Sequence, residues 1–389
     1  MCSSDLPPRE GTVLSFLTMI GIVEATVWIE DRATGSQWFA PMLNASMMRR
    51  ATGLTADLDL VLALDTGAVA FTATADYVAV PGLLTVAASF RDLPPGTLLT
   101  MAGAMPPGLM LDGRVDGNVA ALINRDGSLG RIDFDFAAGP SVVEAPALWD
   151  SPIGFDSLTM RGTVLDGLRT VRISDFFVSQ SGASAEAAGL FTFDPAGLGF
   201  VVDASWAEIP ADRFDAMWPK PLVRHTRAWV VANLHSGVVD SGTLHMRVQP
   251  GELGQLPHKG EVDLQFAFSR ASSTYLEGHP PVQDAKGSGK LTLRTFDLTV
   301  ESARVGTLAL REGAVHIDGL DSDVPSMVIE FVASGATAEG LRILALPPLH
   351  IPVPQGYGGA MAARTQIALY AKLKRVFRLW LVFHVVIAV

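Results

Sequence analysis

GEVDLQFAFSR, residues Gly260 to Arg270, alternates with a period of two. Val262, Leu264, Phe266 and Phe268 are apolar, and Glu261, Asp263, Gln265 and Ala267 stand between them. Successive side chains of a strand point to opposite faces, so this stretch has one greasy face and one mostly wet face. Such an apolar face needs a covering layer. Whether a second sheet, a helix or a ligand covers it decides the architecture.

The alternation recurs on both sides of this stretch. TADLDLVLALD places Leu58, Leu60, Leu62 and Leu64 on one face, and GRIDFDF places Ile132, Phe134 and Phe136 together. GTLHMRV gives Leu244, Met246 and Val248. KLTLRTFDLTV gives Leu291 and Leu293, then changes phase to Phe296, Leu298 and Val300, which predicts a β-bulge. Short turn signals separate the runs at Asp65–Gly67, Asp112-Gly113, Asp126-Gly127, Asp166-Gly167 and Asp318-Gly319. The pattern is roughly fifteen strands at about 10- to 15-residue spacing, as in antiparallel β architecture.

Helical periodicity is scarce. In WPKPLVRHTRAWVVANLHSG, Trp218 to Gly237, two prolines suit a helix entry, and Leu222, Trp229, Val230, Asn233 and Leu234 follow a loose three-to-four period. The expectation is a helix within Trp218 to Leu234, anchored on the sheet's apolar side by Trp229, with Gly237 as C-cap. PMLNASMMRRATG, Pro41 to Gly53, reads as a second short helix. Helices do not alternate with strands, which argues against a parallel α/β sheet.

Composition narrows the function classes. The 389 residues are 49% hydrophobic and only 18% charged, where a soluble domain carries about 25% charge. The net charge of −11 argues against nucleic acid as a partner. Cys2 is the single cysteine, so an intramolecular disulfide framework is excluded. MCSSDLPPRE lacks the basic region of a secretory signal. LWLVFHVVIAV, Leu379 to Val389, is apolar but short of the ~20 residues of a membrane-spanning helix. It follows Lys372, Lys374, Arg375 and Arg378. A basic amphipathic end of this kind suits a membrane surface. The expectation favours instead an end cut from a longer protein.

No constellation points to catalysis. The eight histidines form no H-E-x-x-H pair, and no second cysteine exists for a zinc knuckle. His225, His235 and His245 fall ten apart, a spacing of neither helix nor strand ligands, and read as solvated or turn residues. DAKGSGKLTL, Asp284 to Leu293, misses the phosphate-loop pattern at both ends and reads as a flexible hairpin turn. Asp57/Asp59 and Asp133/Asp135 alternate with large apolar residues, which places them on a solvated strand face rather than in a cleft. The chain is therefore expected to be no enzyme and to need no cofactor and no metal. Its most informative feature is the repeated one-sided strand. Two such faces bury each other in a β-sandwich, and one such face left open makes a groove for acyl chains. The pattern alone fits both.

The stretch WPKPLVRHTRAWVVANLHSGVVDSGTLHMRVQPGEL resembles the AsmA-like bacterial envelope proteins of the YhdP type. The matching features are Trp218-Pro219, Arg227 and Trp229, and Asn233 and Gly237 leading into alternating strands. The similarity continues through the Tyr275–Pro281 turn and the glycine-containing strand start after it. It covers about Trp218 to Leu346 and is vaguer over the first 200 residues. The resemblance implies an all-β, elongated, twisted antiparallel sheet forming an open groove with a few short helices. It also implies a periplasmic location at the inner membrane and passive transport of phospholipid toward the outer membrane. The groove would be lined by Leu244, Met246, Val248, Val262, Leu264, Phe266, Phe268, Leu291 and Leu293. Residues 11–205 form a first β-rich segment on this reading, and 218–345 a second, opened by the helix. Residues 346–389 form a Pro/Gly joint and the start of a further segment. The family's N-terminal anchor and its long continuation have no counterpart here, so the expectation is a fragment whose last twenty residues do not pack natively. The rival expectation is a structural envelope β-sandwich with a closed core and no ligand.

Overall fold

The computed structural model describes residues 17–31, 36–101, 105, 108–218, 220, 224–252, 259–275, 278–322 and 326–347. It is 69% strand and 9% helix, which makes the fold all-β with a few short helices. Seventeen strands form antiparallel sheet that does not close into a barrel. By backbone packing the chain divides into two units, 1–144 with 154–178, and 145–153 with 179–389. The division falls upstream of Trp218.

In the first unit the strands are β1 (Met19–Asp31), β2 (Ser36–Arg50), β3 (Gly53–Leu64), β4 (Gly67–Val78) and β5 (Leu83–Leu93). After helix α1 (Pro95–Met101) come β6 (Met110–Asp112), β7 (Val115–Ile123), β8 (Leu129–Ala138), β9 (Ser141–Glu144), β10 (Ile153–Phe155), β11 (Ser157–Leu165) and β12 (Thr170–Gln180). The antiparallel ladder runs β1–β2–β3–β4–β5–β7–β8–β11. Its tightest core is Leu62, Leu64 and Val69, packed by Trp38, Phe71 and Leu93.

In the second unit β13 (Ala183–Asp194) and β14 (Gly197–Pro210) precede two helices, α2 (Phe214–Met217) and α3 (Arg224–Asn233). Then follow β15 (Leu234–Val248), β16 (Glu261–Ser273), β17 (Val282–Thr292), β18 (Thr295–Val305), β19 (Leu308–Asp318), β20 (Ser326–Ser334) and helix α4 (Thr337–Ala345). Each strand pairs with its predecessor, in unbroken chain order from β13 to β20. Ile343 of α4 packs on Val305 and Leu308 at one end of the ladder. Across both units the large side chains that are less than 2% exposed are Ile317, Val69 and Val248, among the described residues.

Several local expectations are corrected. Pro41 to Gly53 is not a helix: through Arg50 it belongs to β2, paired on both sides. Two rows of ladder hydrogen bonds override the helical propensity of its methionines and alanines. Pro41 sits where the register slips between Phe39 and Met42, a position that spares its missing N–H. The helix expected within Trp218 to Leu234 is present as α3, Arg224–Asn233, but it gives way to strand at Leu234. Gly237 is therefore no C-cap. It lies within β15 at φ +131, where a Cβ would come 2.8 Å from the Ala271 backbone. The glycine-rich Asp284 to Leu293 is no hairpin turn, because all but Leu293 is strand β17. The phase change before Phe296 is not a bulge but a turn at Leu293-Arg294 joining β17 to β18.

Candidate functional site

The registers of the second unit sort its side chains into two faces. One row reads Ala204, Leu244, Leu264, Leu291, Phe296 and Ile317. A second reads Trp206, Gly242, Phe266, Gly289, Leu298, Val315 and Ile329, and a third Phe268, Gly287, Val300 and Gly313. Met246 lies between Val202 and Val262, and Val248 faces Phe200. Eight of the residues expected on one face, all but Leu293, thus share it. Leu293 occupies the β17–β18 turn, beyond the last ladder pair. Trp229 lies in α3, and its side chain is outside the described residues. The expected segment 346–389 is outside them beyond Pro347.

Most of this face is half-buried, as expected of apolar side chains that touch their neighbours in the sheet but have no second layer above them. Among the described elements of this unit α4 covers one end of it, where Ile343 packs on Val305 and Leu308. Val248 at the end of β15 and Ile317 of β19 are buried.

Glycines under aromatic rings smooth the face. A Cβ on Gly289 would stand 2.3 Å from Phe266 Cζ, and one on Gly287 would stand 3.0 Å from Phe268 Cζ. A Cβ on Gly242 would stand 2.3 Å from the Trp206 indole. Each ring therefore lies down across the neighbouring strand instead of standing on the sheet. The first unit repeats the device: Phe90 and Phe136 close over Gly117, and Phe134 over Gly162. There Phe134 and Phe136 stack at 5.3 Å.

The opposite face is polar and internally paired. His245 Nδ1 lies 2.7 Å from Asp203 Oδ1, Lys290 Nζ 3.0 Å from Asp263, and His316 Nδ1 2.5 Å from Asp297. The Gln265 side-chain amide, and after it the Lys290 ammonium, hold the Asp263 carboxyl below the usual carboxylate range. In the first unit Asp133 takes Arg131 and Thr163, and Asp135 takes Arg161, so the paired carboxylates do stand on a polar strand face. A shallow depression of about 400 Å³ opens on the polar side between Thr243, Gln265, Ser288, Lys290 and Thr299. Its charged groups, Lys290 and Asp297, are each paired across strands, with Asp263 and His316, so it offers less to a ligand than the apolar face does. Among the described residues no group of three or more His, Cys, Asp or Glu is placed to hold a metal ion.

Arg227 ties α3 to the preceding segment. Its Nε donates to the Trp218 carbonyl at 3.0 Å, and its Nη2 donates to the Asp215 carbonyl and carboxylate at 2.7 and 2.6 Å. The segment 145–153 docks here as well: Trp149 Nε1 donates to the Met217 carbonyl at 3.1 Å, and Lys220 Nζ reaches Asp150 at 2.8 Å.

Sequence reasoning missed Trp206, Phe200, Val202, Leu298, Val315 and Ile329 as members of the face. The alternation of GLGFVVDASW, Gly197 to Trp206, carried the signal for the first three. Comparison of the chain with protein-family models, with curated proteins and with solved structures found no match.

Proposed function

We propose that the apolar face of the second unit is a lipid-binding surface, and that the chain conducts phospholipid acyl chains within a bacterial cell envelope without catalysing a reaction. One observation carries the reading: an apolar strip crosses seven strands in register, with rings laid flat over glycines, and α4 meets the face at one end of it. Seven strands at about 4.8 Å spacing give a strip of about 30 Å, comparable to the hydrocarbon core of a bilayer. Each acyl CH₂ removed from water contributes about 0.8 kcal/mol. Flat rings suit a ligand that slides, since they leave no knob for a chain to lock around. The paired charges of the opposite face keep that side in water.

Native mass spectrometry of detergent-free protein tests for bound phospholipid. A photo-crosslinking residue at Leu264 should capture lipid, and the same residue at Thr243 on the polar face should not. Leu264→Asp should lower occupancy severalfold, because a tail would then have to cover an ionised group. Thr243→Arg should leave occupancy unchanged. Equal crosslinking from the two faces, or protein that carries no phospholipid, would overturn the reading in favour of a structural role without a ligand.

A further inference from the structure

One end of the first unit's strands exposes apolar side chains on both faces of the sheet. Met19 pairs with Met48 and Ile20 with Met47, so the two rows point to opposite sides. All four are exposed, Met19 at 55% and Ile20 at 46%. Leu54 beside them is exposed, and Val80 on the β4–β5 turn is 87% exposed. Three hairpin tips adjoin at this end: the Ala79 N–H donates to the Thr52 carbonyl at 2.9 Å, and the stem of Arg125 lies against Gly82.

Arg49, Arg50 and Arg125 are exposed at the same end. The Arg50 Nε donates to Thr55 Oγ1 at 3.2 Å, which turns its guanidinium back along the sheet, level with Met48 and away from the tip. Two carboxylates sit among them. Asp126 accepts from Ser128 of its own turn at 2.6 and 2.9 Å, and Asp76 stands opposite Thr55. The other ends of the same strands carry Glu30, Asp65, Asp92 and Asp116 against Arg91 and Arg114. In a chain of net charge −11, arginines thus outnumber carboxylates among the residues named at the apolar tips, and carboxylates outnumber arginines among those named at the other ends.

A second protein layer covers one face of a sheet, and an added strand covers one edge. Only a medium that the end dips into covers both faces and the tips together. We propose that this end docks on an anionic lipid bilayer, with the tip of Val80 and Leu54 among the headgroups and acyl boundary. The Arg50 guanidinium lies one row behind, at phosphate level, and Arg49 stands in the row of Leu54. The apolar rows reach roughly 7 Å back from the tip, within the ~5–10 Å depth of interfacial insertion. Arginine stems lie along apolar surface while their heads meet phosphate. The inference is independent of whether the second unit binds lipid.

Vesicle flotation of the whole chain tests it, with vesicles of phosphatidylcholine alone or mixed with phosphatidylglycerol. The protein should float with the mixed vesicles and not with phosphatidylcholine. Arg49→Glu with Arg50→Glu should lower the partition coefficient by at least roughly thirtyfold, from loss of two surface cations. Val80→Asp should abolish flotation, and Arg311→Glu in the second unit should not alter it. An environment-sensitive probe on Val80→Cys should shift to the blue with mixed vesicles. Far-ultraviolet circular dichroism should match the parent in each variant. The proposal is overturned by equal binding to both vesicle types, by equal losses in the Arg311 and tip variants, by an unshifted probe, or by no flotation.

Discussion

At Gly289 a single missing methyl group decides how Phe266 lies. A Cβ there would meet the ring at 2.3 Å and lift it off β17. Gly289→Ala should destabilise by about 1–3 kcal/mol through overpacking, outweighing the ~0.5–1 kcal/mol that alanine returns in backbone entropy. A urea midpoint equal to the parent's would show that the ring moves freely. Adding Phe266→Leu should recover part of the loss, since the smaller side chain clears the new methyl. On the other face, Asp263 carries a lowered pKa from Gln265 and then Lys290. Its contribution is present above the unfolded carboxylate value near pH ~4 and is lost as pH falls through its lower folded value. The melting temperature should therefore drop below about pH 4, and Asp263→Asn should flatten that part of the profile. The side chains that define the apolar face were legible in the sequence because Leu244, Met246, Leu264 and Phe266 alternate strictly. Gly287 and Gly289 were not. Their composition is that of a turn, and what makes them strand is a pair of rings contributed by a different segment.

The strands bend at places the sequence hides. Ser269-Arg270 of β16 oppose one residue of β17, Asp284-Ala285 of β17 oppose one of β18, and Glu312-Gly313 of β19 oppose one of β20. Arg270, Asp284 and Glu312 adopt φ of +53, +51 and +54. A bulge with a left-handed residue bends its strand and increases its twist. Charged residues in that conformation give no glycine signal, so these three bulges were silent while the Leu293-Arg294 turn was read as one. Glu312→Val should cost about 1–2 kcal/mol, because a β-branched side chain clashes at positive φ. Glu312→Gly should cost nothing or stabilise slightly. Equal denaturation midpoints for the two variants would count against strain at this site. The same difficulty hid β2: its Met-rich run is helical by propensity, and only pairing with β1 and β3 makes it a strand.

Among the described residues of the second unit, no second sheet locks the strands of the ladder together. From β13 to β20 every strand bonds to its neighbours in sequence, and β20 has β19 as its one partner among the described residues. Stability in such an array is close to a sum of neighbour terms, so protection should be graded. Hydrogen exchange should be slowest in β16 to β18 and faster in β20, whose hydrogen bonds are held on one side. Uniform protection across the eight strands would show that some further layer makes them cooperative. Chain-order pairing also fixes the route by which the molecule is made. Every contact between successive strands closes a short loop, so the sequence separation of contacts is small and the entropy lost before each is rewarded is small as well. A new hairpin can dock as soon as its second strand emerges, with no need to wait for a distant segment. The second unit is thus suited to fold vectorially, from β13 onward, while the rest of the chain is still being synthesised or threaded through a pore.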